Sequence, residues 1–409
     1  MALILSFAAL AATQAIIAPK ANLTVLQHAT DSAFGGFISD GGAGGFVSQY
    51  NLSIFSISDG SKCKQAHFDN LELNDTCSFP VHTAYAGIDY SDPTKLNIIA
   101  NYTEDFFYRG QGGEGLVPWN NVTDPPYGIK GAGGFAPAPH TAAIPIPGNS
   151  TGLLNVWPVY ANETKYVFTT MFEMNFYVDA NYLNALGKQV PVQRTVPVLF
   201  DVTKNITDYG SAMLTSGRGS EANTHFYLWA GDSTGWKVAR APWATRTDTS
   251  TYSFWHGQAG WQNTPLRRNN DTYGNVYNFT ANALASPGTW GSDIRWVDRF
   301  QTYVLTYQAA PIDFELHVQY SKTGAITGPY TDPVTLAVLP LDNNCTSVPH
   351  NGTLEFIDFM QVHWDYYGLN DNRTLVSWIS CTNYQNMGIL NWTTGYNNYT
   401  SPGRSYKGV

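Results

Sequence analysis

Two carboxylates near the start of the chain are spaced for shared chemistry. Asp40 stands in Ser39-Asp40-Gly41-Gly42 and Asp59 in Ser58-Asp59-Gly60. Between them, Phe46-Val47-Ser48 and Leu52-Ser53-Ile54-Phe55-Ser56-Ile57 read as the two arms of a short β-hairpin. Strand residues rise ~3.3 Å each, so folding the arms back brings their outer ends together. A carboxyl at each end then faces one solvent pocket, and paired carboxyls are what cleavage of a glycosidic bond requires. One must hold a proton while the other stays ionised, a split that burial and mutual repulsion produce. Their separation sets the stereochemistry: ~5–5.5 Å for retention, ~6.5–9.5 Å for inversion.

Other side chains could join this pair. Asp293 opens the strand-like run Asp293–Val297 and is a candidate accessory acid. Glu173 and Asp89 could orient a substrate hydroxyl, whereas Glu114 reads as a loop charge. Trp255 and Trp261 bracket His256-Gly257-Gln258, and Trp296 follows Asp293, so these indoles are candidates for stacking on sugar rings. Each has a plainer reading: an Asp before Gly bonds its own turn backbone, and a Trp fills the space between sheets. The histidines His82, His140, His256 and His363 lack metal-ligand spacing, so no metal or cofactor is expected. A lone channel cation would leave no trace in the sequence. Nucleophile-elbow, P-loop and dinucleotide fingerprints are missing, which removes esterase, nucleotide and redox readings.

The elements that must position these groups are strands. Short runs bounded by Gly, Pro, Asn and Asp recur at 95–101, 153–160, 166–172, 196–202, 225–230, 237–241, 293–297, 302–307, 314–320, 335–339, 356–364 and 374–381. The best helical period, Tyr177 to Leu186, is short and broken by Asn and Asp. A mature chain of about 390 residues without a linker is long for one sandwich. A propeller grows by adding four-stranded blades around one axis, and five blades would take about 75–80 residues each. The reading is therefore all-β, a single five-bladed β-propeller domain over 19–409, with a Gly/Pro-rich loop insertion around 110–147.

Composition sets the compartment and the partners. Met1 to Ala18 contains no Asp, Glu, Lys or Arg and carries the apolar run Leu3–Leu10, which reads as a signal peptide over 1–18, with cleavage near Ala15 or Ala18. Asn-x-Ser/Thr sequons recur throughout, including Asn22, Asn101, Asn149, Asn205, Asn278 and Asn391. Together these point to a secreted, extracellular glycoprotein. The four cysteines suit an oxidising compartment; local spacing favours Cys63–Cys77 and Cys345–Cys381, although three connectivities are open. A net charge of -9 with no basic stripe argues against nucleic acid. No later segment is apolar enough to cross a bilayer, and the chain is expected to work as a monomer on a polysaccharide or glycan.

Several short motifs fall in a familiar order: Asp40-Gly41-Gly42 with Asp59, then Thr251-Tyr252-Ser253-Phe254-Trp255 and Gly260-Trp261. Ser292-Asp293-Ile294-Arg295-Trp296 with Tyr303–Tyr307 follows, and Thr327-Gly328-Pro329-Tyr330-Thr331-Asp332-Pro333 comes last. This series resembles the family long catalogued as a domain of unknown function that includes bacterial endo-D-arabinanases. More distantly it is similar to the five-bladed arabinanase and β-xylosidase propellers. The resemblance implies a five-bladed propeller with a central glycan pocket. It also implies two essential aspartates in the first blade, mapping onto Asp40 and Asp59. At the second, Ser58 and Gly60 replace the family's Gly and Thr. The implied activity is hydrolysis of a furanose-containing, D-arabinan-like polysaccharide, with a non-catalytic lectin-like propeller as the alternative.

Overall fold

The computed structural model describes residues 15–27, 42–47, 52–57, 82–88, 96–102, 136–137, 141–161, 165–175, 192–279, 292–308, 314–340, 357–364, 371–380 and 384–394. Asp40, Asp59, Asp89, Glu114, His140, the four cysteines and the helical candidate at 177–186 lie outside the described residues.

The described chain is all-β and propeller-like. It begins with β1 (Ala21–Gln27), which is set aside until the last sheet. The first sheet runs β2 (Gly42–Val47), β3 (Leu52–Ile57), β4 (His82–Ile88) and β5 (Leu96–Tyr102), each antiparallel to the next. The expected hairpin is present, with Val47 opposite Leu52 and Gly42 opposite Ile57. The second sheet holds β6 (Ala136–Pro137), β7 (Ile144–Ile146), β8 (Asn149–Ala161), β9 (Lys165–Asn175) and β10 (Val192–Asp201). Thus the stretch read as a loop insertion contributes two short strands. Pro145 does not prevent this, because it is exposed between buried Ile144 and Ile146, where a missing N–H is tolerated.

The third sheet is built from β11 (Met213–Ser216), β12 (His225–Asp232), β13 (Gly235–Pro242), β14 (Ser253–Trp255), β15 (Trp261–Gln262) and β16 (Tyr277–Asn278). The fourth runs β17 (Asp293–Val297), β18 (Thr302–Gln308), β19 (Glu315–Tyr320) and β20 (Val334–Val338). The Gly328-Pro329-Tyr330 turn connects the last two, with the Tyr330 hydroxyl donating to Ile326 O at 2.9 Å. The fifth joins β21 (Ile357–His363), β22 (Arg373–Ser380) and β23 (Tyr384–Trp392) to β1, with Ala21 opposite Trp392.

Contacts between sheets form a closed circuit: β2 touches β7 and β8, β7 touches β11, β11 touches β17, β18 touches β21, and β21 returns to β2. Sheets stacked on both sides bury both faces of their strands, as in β18, where every residue from Thr302 to Gln308 is buried. Val156, Met171, Leu228 and Phe254 fill the space between the second and third sheets. Trp229, Trp236, Leu305 and Tyr307 fill that between the third and fourth, and Val304, Met360, Trp378 and Trp392 that between the fourth and fifth. Trp157, Trp229, Trp236, Trp364 and Trp378 are fully enclosed. At about 25 cal/mol per Å² over 150–250 Å², each removes apolar area worth roughly 4–6 kcal/mol from water. Among the described residues no helix is long and apolar enough to cross a membrane.

Candidate functional site

The first strands of the third and fourth sheets lie side by side and run the same way. Ser292 Oγ donates to Ala212 O at 3.4 Å and, further along both strands, Arg295 Nη1 donates to Leu214 O at 2.6 Å. Their leading ends therefore coincide, and carboxylates gather there.

Asp293 is buried at the first position of β17. Its Oδ1 accepts from Ile294 N at 2.8 Å and lies 3.1 Å from Arg295 Nη1. The same guanidinium that faces Asp293 is thus hydrogen-bonded to the neighbouring sheet, which fixes this carboxylate against β11.

Asp208 sits in the segment leading into β11. That segment is held by Thr207 N donating to Leu266 O at 3.0 Å and Arg268 N donating to Asn205 O at 3.2 Å. Gly210 turns it with φ +87°, and a Cβ there would stand 2.5 Å from Val156 Cγ1, so only glycine fits. The result is a carboxyl only 2% exposed, with Oδ1 3.6 Å from Arg268 Nε. Burial pushes the Asp208 carboxyl up, the Arg268 charge pulls less strongly the other way, and the charge of Asp232 adds to the rise.

Asp232 lies at the end of β12, at the same level, and its environment does the opposite. Its side chain accepts from Thr234 N at 2.8 Å, Thr234 Oγ1 at 2.6 Å, Asn269 N at 2.8 Å and Lys237 Nζ at 2.5 Å. Burial alone would raise this carboxyl, but the hydrogen bonds led by Lys237 outweigh it and hold it below the ordinary value. Two neighbouring carboxyls with opposite shifts are the arrangement from which proton donor and permanent anion are made. Both side chains are enclosed, so this pair lies behind the surface rather than on it.

The remaining sequence candidates fall elsewhere. Trp255, Trp261 and Trp296 are half-buried and packed against the cluster between the third and fourth sheets. Arg240 covers one face of Trp261 at 4.6 Å, and Arg218 one face of Trp296 at 4.4 Å. Beside them the Tyr227 hydroxyl donates to Glu221 Oε1 at 2.5 Å. Glu173 on β9 receives both Arg246 Nε at 2.6 Å and Nη2 at 3.1 Å, a bidentate link from the second sheet to the β13–β14 connection. His256 Nε2 is 2.7 Å from Thr264 O, and His363 Nε2 is 2.7 Å from Ser377 Oγ. Among the described residues no group of three His, Cys, Asp or Glu side chains could hold a metal ion.

Sequence reasoning missed Asp208, Asp232, Lys237 and Arg268. Asp208 had a usable signal: an aspartate followed within two residues by glycine, ahead of a first strand, as in Asp40-Gly41-Gly42 before β2.

Among solved structures, the chain is similar to a candidate hydrolase from Bacteroides ovatus ATCC 8483, with a TM-score of 0.59 and 12% identity over 92% of each chain. At that identity the likeness is one of fold. It also aligns with a mutant of the GH43 protein BlXynB from Bacillus licheniformis, with a TM-score of 0.43 and 10% identity, over 91% of its own length and 57% of that protein's. The catalytic domain of Coprinopsis cinerea GH62 alpha-L-arabinofuranosidase aligns with a TM-score of 0.42 and 8% identity, over 92% of this chain and 97% of that one. These two scores lie below the level from which a shared fold follows. No protein-family model and no curated protein sequence matches the chain.

Proposed function

We propose that the chain is a secreted glycoside hydrolase acting on furanose-containing, D-arabinan-like polysaccharide, built as a five-bladed propeller with Asp40 and Asp59 as its catalytic pair. The register of the first hairpin carries this reading. Val47 stands opposite Leu52 and Gly42 opposite Ile57, so the hairpin expected between the two aspartates is present in its described part. Where two such carboxyls stand ~5–5.5 Å apart, hydrolysis proceeds with retention. In that mechanism one carboxylate attacks the anomeric carbon while the other gives its proton to the departing oxygen. Water, deprotonated by the second carboxylate, then displaces the first. Asp293, buried at the leading end of β17, and Asp208, buried in the segment entering β11, place further carboxylates near that end. The five sheets, one per blade, support the architecture.

Secretion is supported by the uncharged first residues and the sequons. Of the two cleavage points, the one after Ala15 leaves Ile17 in place, whose N–H donates to Phe300 O at 3.3 Å and whose side chain packs between the fourth and fifth sheets. Sugar contacts by Trp255, Trp261 and Trp296 would use the ring edges left open by their packing, with Trp296 at the far end of β17 from Asp293 and so reached by a remote part of the glycan. The protein is taken to act as a monomer, with no nucleic acid or membrane partner.

Asp40→Asn and Asp59→Asn are each expected to lower reducing-end release from an arabinan and xylan panel by ~10²–10⁴-fold, with unchanged thermal melts. Normal turnover in both variants would sink the assignment. A lectin-like propeller is the second reading, favoured by the Ser58 and Gly60 neighbours of Asp59. Saturable binding without product, in the unmodified protein, would mark it.

A further inference from the structure

The outermost strands of the sheets share a feature that the glycosidase reading does not use. A strand at the margin of a sheet leaves N–H and C=O groups unpaired and can recruit another chain, so such strands are covered or made awkward to approach. β1 is outermost in the fifth sheet and carries the sequon Asn22-Leu23-Thr24, with Asn22 and Thr24 both exposed. β10 is outermost in the second, and the turn that follows it ends at Asn205, exposed with φ +60° and starting Asn205-Ile206-Thr207. β16 lies at the side of the third and ends at Asn278, also exposed, in Asn278-Phe279-Thr280. Among the described residues, the side-chain amide nitrogens of these three asparagines make no hydrogen bond.

Two other sequons are built differently. Asn149 Nδ2 donates to Asn175 Oδ1 at 2.6 Å, and Asn149 Oδ1 accepts from Thr151 N at 3.2 Å and Thr151 Oγ1 at 3.0 Å. The nitrogen that would receive the sugar is thus engaged. Asn391 is half-buried on β23, an inner strand, directly opposite Asn22, and its Nδ2 donates to Thr24 Oγ1 at 3.0 Å. Opposed residues are too close for each to carry a branched sugar without displacing the other.

We infer that Asn22, Asn205 and Asn278 carry N-linked oligosaccharides that cover the outer strands, and that Asn149 and Asn391 stay largely bare. The assignment rests on the proposed secretory route. In the transfer, the Asn amide nitrogen bonds C1 of a polyprenyl diphosphate-linked oligosaccharide. The C1–O bond breaks with its electron pair on the diphosphate, and one amide proton leaves.

The test is to express the full chain in yeast, once with its own first residues and once with a yeast secretion leader replacing residues 1–15. Protein from the medium is treated with an amidase that converts glycosylated Asn to Asp in heavy-oxygen water and is then mapped by peptide mass. Heavy Asp is expected at positions 22, 205 and 278 in most molecules and at 149 and 391 in a minority. Thr24→Ala and Asn205→Gln should each remove one glycan's mass. Equal labelling at 149 and 391, or none at the three outer positions, overturns the inference. Labelling with the yeast leader alone leaves the glycan assignment standing and removes the secretion reading instead.

Discussion

The two ends of the first strands are made of different material. At the leading ends, ionisable groups are buried and matched: Asp293 with Arg295, Asp208 with Arg268, Asp232 with Lys237. At the trailing ends, aromatic rings are capped by cations at the surface, Arg218 on Trp296 and Arg240 on Trp261. A buried charge is expensive unless paired, so a fold keeps several together only where they act or where one arrangement must be enforced. Half-exposed Arg–Trp stacks cost little to form and little to lose. The first end gathers paired, buried ionisable groups; the second closes the seam between sheets.

The sharpest way to break this contrast is at Lys237. Removing its ammonium in Lys237→Met leaves Asp232 charged and buried, and should cost about 3–5 kcal/mol of unfolding free energy in urea. A loss below about 1 kcal/mol would mean that the pair is solvated and the leading end is not the dry environment described.

Asp208→Asn comes next. It preserves shape but removes a carboxyl that burial has pushed toward its protonated form. Turnover should fall roughly 100-fold, equivalent to about 2.7 kcal/mol, with little change in urea midpoint. A stability loss as large as that of Lys237→Met, with turnover intact, would make Asp208 a structural anchor.

At the far end of β21, burial depresses His363 to about 3. An unfolded histidine titrates near 6.5, so below that pH the unfolded chain binds more protons than the folded one. Stability from this group is complete above about pH 6.5 and is lost as pH falls toward 3, by up to ~1.4 kcal/mol per unit. His363→Gln should flatten the difference between urea melts at about pH 5 and about pH 7. An unchanged slope would assign it to other groups.

The smallest effect belongs to Arg218→Ala. It should cost about 0.5–1 kcal/mol and leave turnover untouched. A tenfold change in KM would show that the trailing end contacts substrate after all.

Much of the fold was legible because strands here carry their own punctuation. The run expected at 293–297 is β17 as observed, and those at 225–230 and 237–241 lie within β12 and β13. β11, β14, β15 and β16 were not legible: two to four residues show no alternation, and β16 pairs with the sequence-distant β13, Gly235 opposite Asn278. The candidate site was half legible. Asp293 could be read because a charge opening an apolar strand has to be explained. Asp208 and Asp232 look like ordinary turn residues, and their opposite shifts come from burial of the first and from the hydrogen bonds of Lys237, Thr234 and Asn269 to the second, which only the folded chain brings about. Lys237, between Trp236 and Val238, reads as the outward position of a strand, yet neighbouring sheets bury both faces.

The pairing of β1 with β23 also carries a consequence in time. The two strands are separated by roughly 360 residues of chain, and ribosomes add about 5–20 residues per second, so β1 waits on the order of 20–70 s for its partner. Until then its backbone lacks this partner, and the fifth sheet cannot acquire its outer strand before β23 has emerged. Completion of the fifth sheet is therefore a late meeting of β1 with β23, and whatever occupies β1 in the interval competes directly with it.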